Sequence, residues 1–142
     1  MITIEEIKST TNEACKNYNC SYAILFGSRA TGHAKDYSDI DIAVKFRDPR
    51  DCLKKAIDMA FTMEEELGIS VDVVPLNIAD TILKYEVYSQ GILLFYTDYD
   101  EYMDDYVNAI DEYLDFEQTF TRFYESTVRE IRNACARGKS QD

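Results

Sequence analysis

A glycine–serine pair and three aspartates carry the chemistry that this sequence offers. An apolar run, Tyr22 to Phe26, stops at Gly27-Ser28; ten residues later Asp39-Ile40-Asp41 opens a second apolar run. Gly27 has no Cβ, so the chain can turn sharply there and come close to a ligand. Ser28 is a good N-cap, and a helix starting there would turn its free N–H groups and positive dipole end outward, which suits a phosphate. Arg29 could add a charge-assisted contact. From Asp39 to Phe46 the residues alternate, with Ile40, Ile42, Val44 and Phe46 on one face and Asp39, Asp41, Ala43 and Lys45 on the other. Residues two apart on a strand project together, so both carboxylates aim at one place. Mg²⁺ takes such oxygen ligands, typically one or two carboxylates together with substrate phosphates. Asp72, inside the apolar SVDVV of 70–74, is a third candidate. An ionised carboxylate among valines is costly unless paired or metal-bound. Three acids on neighbouring strands would make a two-metal phosphoryl-transfer site, its ions roughly 3.5–4 Å apart.

Taken singly, each piece has a plainer reading. A Gly-Ser after a strand is most often a turn, and Asp-x-Asp on an alternating strand is most often a solvated face. The joint pattern carries the weight, because it sets each piece on the element its chemistry needs.

GS-x10-D-x-D resembles the signature of nucleotidyltransferases with a polymerase-β-type palm. LFGSRATGHAKDYSDIDIAV is similar to the minimal nucleotidyltransferases, and the short chain ending in NACARGKS resembles the MntA antitoxin group of HEPN/MNT toxin–antitoxin systems. The motif core spans roughly residues 20–75. The resemblance implies that Gly27-Ser28 holds a triphosphate, that Asp39 and Asp41 bind Mg²⁺, and that Asp72 is the third acid. It also implies a mixed sheet, ATP as donor, and a tyrosine of a HEPN-type RNase toxin as acceptor of AMP. That toxin signature, R-x4–6-H, is missing here, since the sole histidine, His33, has only Arg29 upstream of it. The chain would be the antitoxin. Two other classes stay open: a small-molecule nucleotidyltransferase, such as an antibiotic-modifying enzyme, and a non-catalytic antitoxin that neutralises its partner by binding.

The elements that must position these residues can be read in order. Thr3-x-x-Glu6 is a capping box opening a helix over residues 4–16. A strand, the Gly-Ser turn, a helical turn over 28–32 and a loop from His33 to Tyr37 follow. After the second strand, Asp48 and Pro49 predict a helix start. Leu53, Ala56, Ile57, Ala60, Phe61, Met63 and Leu67 recur at helical spacing, and Gly68 ends the run. The third strand closes at Pro75, Asn77-x-x-Asp80 can cap a helix over 78–89, and Ile92 to Tyr96 is a fourth strand. Alternating helices and strands predict an α/β fold: a mixed palm-type sheet of about four strands covered by helices. The palm domain would span 1–97, a C-terminal helical extension 98–137, and a disordered tail 138–142.

No Gly or Pro occurs from Asp98 to Arg137. One helix of that length would reach roughly 55–60 Å, so it must break into two or project. The apolar phase is weakest around Asp115 to Glu117, where a break is predicted. Between Lys84 and Arg122 there is no basic residue, only acids with Tyr99, Tyr102, Tyr106 and Tyr113 among them. That segment reads equally as a solvated face or as a docking surface for a basic partner.

The whole chain has 15 Lys plus Arg against 27 Asp plus Glu, a net charge of −12. This argues against direct nucleic-acid binding, which needs cations to neutralise phosphates. No apolar run is long enough to span a bilayer, and the first residues show no basic-then-apolar leader, so no membrane contact and a cytoplasmic location are expected. Four dispersed cysteines and one histidine argue against zinc or a disulfide scaffold. His33 reads as a loop residue, and whether Lys35 reaches a phosphate stays open.

Overall fold

The computed structural model describes residues 1–140. Its centre is β1 (Cys20–Phe26), a strand of seven residues that are all buried. β2 (Ile40–Phe46) and β4 (Ile92–Tyr96) flank it antiparallel, and β3 (Val71–Pro75) pairs parallel with β2. The sheet order is β3-β2-β1-β4, so it is mixed and β3 lies at an edge. A parallel neighbour needs a crossover; here α3 (Cys52–Leu67) provides it.

Each face of the sheet has its own core. The even residues of β2, namely Ile40, Ile42, Val44 and Phe46, pack with α3 and with α1 (Ile4–Tyr18) through Ile7, Ala14, Cys15, Met59 and Met63. On the other face Tyr22, Ile24, Phe26 and Ala43 meet α4 (Thr81–Gln90) and α5 (Tyr99–Ser140) through Val87, Tyr88, Tyr102 and Ala109. The alternation expected of β2 is therefore observed, and Asp41 and Lys45 share the second face.

Several expected boundaries move, each for a local reason. The capping box of Thr3 and Glu6 forms, but α1 runs on to Tyr18 and closes on Asn19, whose φ is +58°. Asp48 does not cap α3. Its carboxylate accepts from the Arg50 backbone N–H at 2.9 Å and pairs with the Arg50 guanidinium, and the helix begins only at Cys52. Asn77 does not cap α4 either. Its side chain bonds both the N–H and the C=O of Phe46, at 2.9 and 3.0 Å, and so ties a 3₁₀ turn (Leu76–Ile78) to β2. Asp80 caps α4 instead, accepting from Leu83 N–H at 2.8 Å.

The predicted break near Asp115 to Glu117 is absent: α5 is one helix of 42 residues, about 63 Å at 1.5 Å per residue. Phe116 and Phe120, one turn apart, stack across that position with centroids 6.3 Å apart, so a local ring pair replaces the lost apolar phase. Of the tail predicted at 138–142, residues 138–140 continue α5 and 141–142 lie outside the described residues. The first part of α5 is fastened to the sheet. Lys45 reaches Asp105 at 2.6 Å and Glu101 at 3.2 Å. The fully buried Tyr22 bonds Asp105 at 2.7 Å and also bonds the Tyr88 hydroxyl. Tyr113 stacks on Tyr85 at 3.8 Å. Part of the acidic, tyrosine-rich stretch is thus internal packing rather than a free surface. From Leu114 onward the helix is largely exposed, as at Phe123 and Tyr124. No helix among the described residues is long and apolar enough to cross a membrane.

Candidate active site

β1 delivers the turn. Gly27 leaves the strand with φ +74°, the conformation that favours glycine, and serves as N-cap of α2 (Ser28–Thr31). Its carbonyl accepts from Ala30 and Thr31 N–H at 3.1 and 3.2 Å. Ser28 was expected to cap; it is instead the first helical residue, one place further on, and its hydroxyl is not used to cap the helix.

The sheet register assembles the acids. Phe26, immediately before the turn, is paired with Asp41, and Asp41 is paired in parallel register with Asp72. Side chains of directly paired residues emerge on the same face. Asp39 stands just ahead of β2, two residues before Asp41. The turn and Asp41 are in close contact: a Cβ built on Gly27 would overlap the Asp41 carboxylate and stand 3.3 Å from its Cγ. Gly27, Ser28, Asp39, Asp41 and Asp72 therefore gather at one end of three adjacent strands.

Arg29 is placed differently. Its side chain is buried and donates from Nε and Nη2 to the Ser38 carbonyl at 3.0 and 2.7 Å, and from Nη2 to that of Asp36 at 3.4 Å. It fastens the loop that leads into Asp39. A sequence reading sees an exposed cation beside a glycine turn, because the loop that folds back over Arg29 carries no signal of its own. His33 bonds Thr31 Oγ1 at 3.0 Å, and Lys35 lies 5.9 Å over the Tyr37 ring, both at the surface.

Partial burial, then the charges of Asp72, Asp39 and Glu86, push Asp41 up to about 6 from the usual 3.8. Glu86 of α4 had no sequence signal, since the helical pattern there marks only the buried side of the helix. The shift sets a pH dependence. Between about pH 4 and about pH 6 the folded chain keeps a proton on Asp41 that the unfolded chain has released. This contribution to stability is complete below about pH 4 and is lost as the pH rises through about 6. In chelator, the melting temperature of the native chain minus that of Asp41→Asn is expected to fall across this window and then level off. Parallel melting curves at every pH would refute the shift.

The donor chemistry fits Mg²⁺: Asp39, Asp41 and Asp72 are hard oxygen donors, and a cation would offset their mutual repulsion. No three His, Cys, Asp or Glu side chains among the described residues are gathered closely enough to grip an ion as they stand. The fit rests on the shared face and on the strain of like charges at Asp41.

A glycine turn against one carboxylate, with a second carboxylate in register on the next strand, is an arrangement that can serve phosphoryl chemistry. The chain belongs to the polymerase beta nucleotidyltransferase family, whose model matches residues 6–100. It is 35% identical over 97 residues to the protein adenylyltransferase MntA of Thermococcus cleftensis, covering 62% of this chain and 97% of that one. A solved toxin–antitoxin structure with AMP-PNP superposes with a TM-score of 0.73 at 26% identity, over 85% of this chain and 98% of that one. A chain from the complex of tri-AMPylated Shewanella oneidensis HEPN toxin with MNT antitoxin shares the fold, with a TM-score of 0.67 at 24% identity over 85% and 95%. The protein is a nucleotidyltransferase with an α+β fold.

Proposed function

We propose that this chain is the cytoplasmic antitoxin of a two-protein system, and that it transfers AMP from ATP to a tyrosine hydroxyl of a cognate HEPN-type RNase toxin. The observation that carries the reaction is the register that sets Asp41 beside Asp72 while Gly27 abuts Asp41. The protein acceptor is supported by the similarity to a protein adenylyltransferase and to a toxin–antitoxin structure with a bound ATP analogue.

The Ser28 hydroxyl and the backbone N–H groups of the turn would hold the β- and γ-phosphates and stabilise charge as it develops there. Asp39, Asp41 and Asp72 would hold Mg²⁺, up to two ions, which when bound neutralises phosphate charge and lowers the pKa of the incoming hydroxyl. Asp72, on the outer strand, would ligate that metal or accept the proton of the acceptor hydroxyl. The tyrosine oxygen attacks the α-phosphorus in line, a new P–O bond forms, the bond to the β-phosphate bridge breaks, and pyrophosphate leaves. Arg29 acts indirectly, by holding the loop that delivers Asp39.

Labelled ATP and Mg²⁺, incubated with this chain and the product of the neighbouring reading frame, test the reading. Label on that protein is the expected result. A tight complex without label would favour neutralisation by binding, for which the exposed end of α5 offers a surface. Label only on an added aminoglycoside would favour the small-molecule enzyme.

A further inference from the structure

Helix α3 has two apolar sides, and the core uses only one. Ala56, Met59 and Met63 are buried against the sheet, whereas Leu53, Ile57 and Phe61 are 59%, 49% and 63% exposed. Their spacing of four sets these three along a single stripe. The sequence pattern merges both sides into one helical run; only packing against β3 separates them.

The stripe is continuous with the catalytic acids. A groove of about 540 Å³ wraps the edge strand β3, running from Asp41 and Asp72 on one face to Val73, Ile57, Ala60 and Phe61 on the other. Strand order gives the site a direction. The glycine turn follows β1, the shared acid Asp41 is on β2, and Asp72 is on β3. A nucleotide held over β1 and β2 leaves the β3 side as the approach open to an acceptor, and the groove begins there. The groove does not invite an added strand, because the Glu64 carboxylate already accepts from Val71 N–H on this edge at 2.9 Å. An occupant would be held by its side chains.

The geometry points to this groove as the acceptor site: it takes an extended protein segment whose tyrosine lies over Asp41 and Asp72 and whose neighbouring apolar side chains rest on Ile57 and Phe61. This rests on the reading of the chain as a protein adenylyltransferase, and it adds which surface selects the substrate. The wall chemistry favours such a segment over a sugar or an aminoglycoside, whose hydroxyls and amines would lie unpaired against Ile57, Ala60 and Phe61.

The test compares the native chain with Phe61→Ser, Ile57→Ser/Phe61→Ser and the conservative Phe61→Leu. AMP transfer to the HEPN-type partner is measured alongside Mg·ATP affinity. Loss of the apolar wall is expected to raise KM for the protein acceptor about tenfold or more, with Mg·ATP affinity unchanged and Phe61→Leu close to native. These positions are exposed, so folding should survive; should the double variant melt early, the single variants carry the test. An unchanged acceptor KM in Phe61→Ser would overturn the assignment while leaving the transferase reading intact. Failure of the native chain to label any protein would sink the protein-acceptor reading, and the groove assignment with it.

Discussion

Replacing Asp41 with alanine is expected to lower AMP transfer by about 10³-fold or more while the chain stays folded. Asp41 is in register with both neighbours that matter, Phe26 before the turn and Asp72 on the outer strand. Its loss would remove a donor shared between the phosphate side and the acceptor side. Electrostatic stabilisation of a transferring phosphoryl group contributes several kcal/mol, and each 1.36 kcal/mol is tenfold in rate. The fold should not suffer. Among the described residues Asp41 makes no ion pair, and burial and then like charges push its pKa up to about 6, so at neutral pH the carboxylate is a burden to the metal-free chain. The melting temperature in chelator should hold or rise slightly. A variant retaining native turnover would refute the role given to this acid.

Gly27→Ala is expected to be nearly as damaging, for a different reason. At φ +74° and ψ −156°, a region essentially confined to glycine, an alanine is strained by roughly 1–3 kcal/mol, and its Cβ would enter the space of the Asp41 carboxylate. The side chain or the turn must shift. A displacement of about 1 Å in a positioned group can cost about 10²-fold in rate. Both the phosphate grip and the acid move, so transfer should fall by at least that factor, while melting drops by only the strain. Gly32→Ala is the control for positive φ: Gly32 sits in the milder left-handed helical region, at φ +82° and ψ 13°, with nothing within 4 Å of its would-be Cβ. Equal activity losses in the two variants would show that backbone strain, not the contact with Asp41, is responsible.

Much of this arrangement is legible without coordinates. The alternation of β2, the capping box at Thr3 and the glycine after β1 are local patterns with local causes, and they appear where expected. Several features differ because a residue has two possible partners. Asn77 and Asp48 are good helix caps in isolation, yet Asn77 finds the Phe46 backbone and Asp48 finds Arg50. Arg29 could meet a phosphate, but the carbonyls of Ser38 and Asp36 enclose it. The tyrosines of α5 resembled an interface until Tyr22, Tyr85 and Tyr88 supplied partners from within the chain.

Residue spacing alone determined that a glycine turn follows one strand and that Asp41 and Asp72 sit on two others, because strand periods are set by the backbone. It could not determine which strands are neighbours. Parallel pairing of β2 with β3 brings together residues 31 positions apart, Asp41 and Asp72, and nothing local encodes that. The same pairing exposes one side of α3 beside the edge strand and leaves α5 to run on past the domain. Long-range register arises from burying both faces of one sheet at once, so the tertiary structure alone decided where the acids meet and what lies beside them.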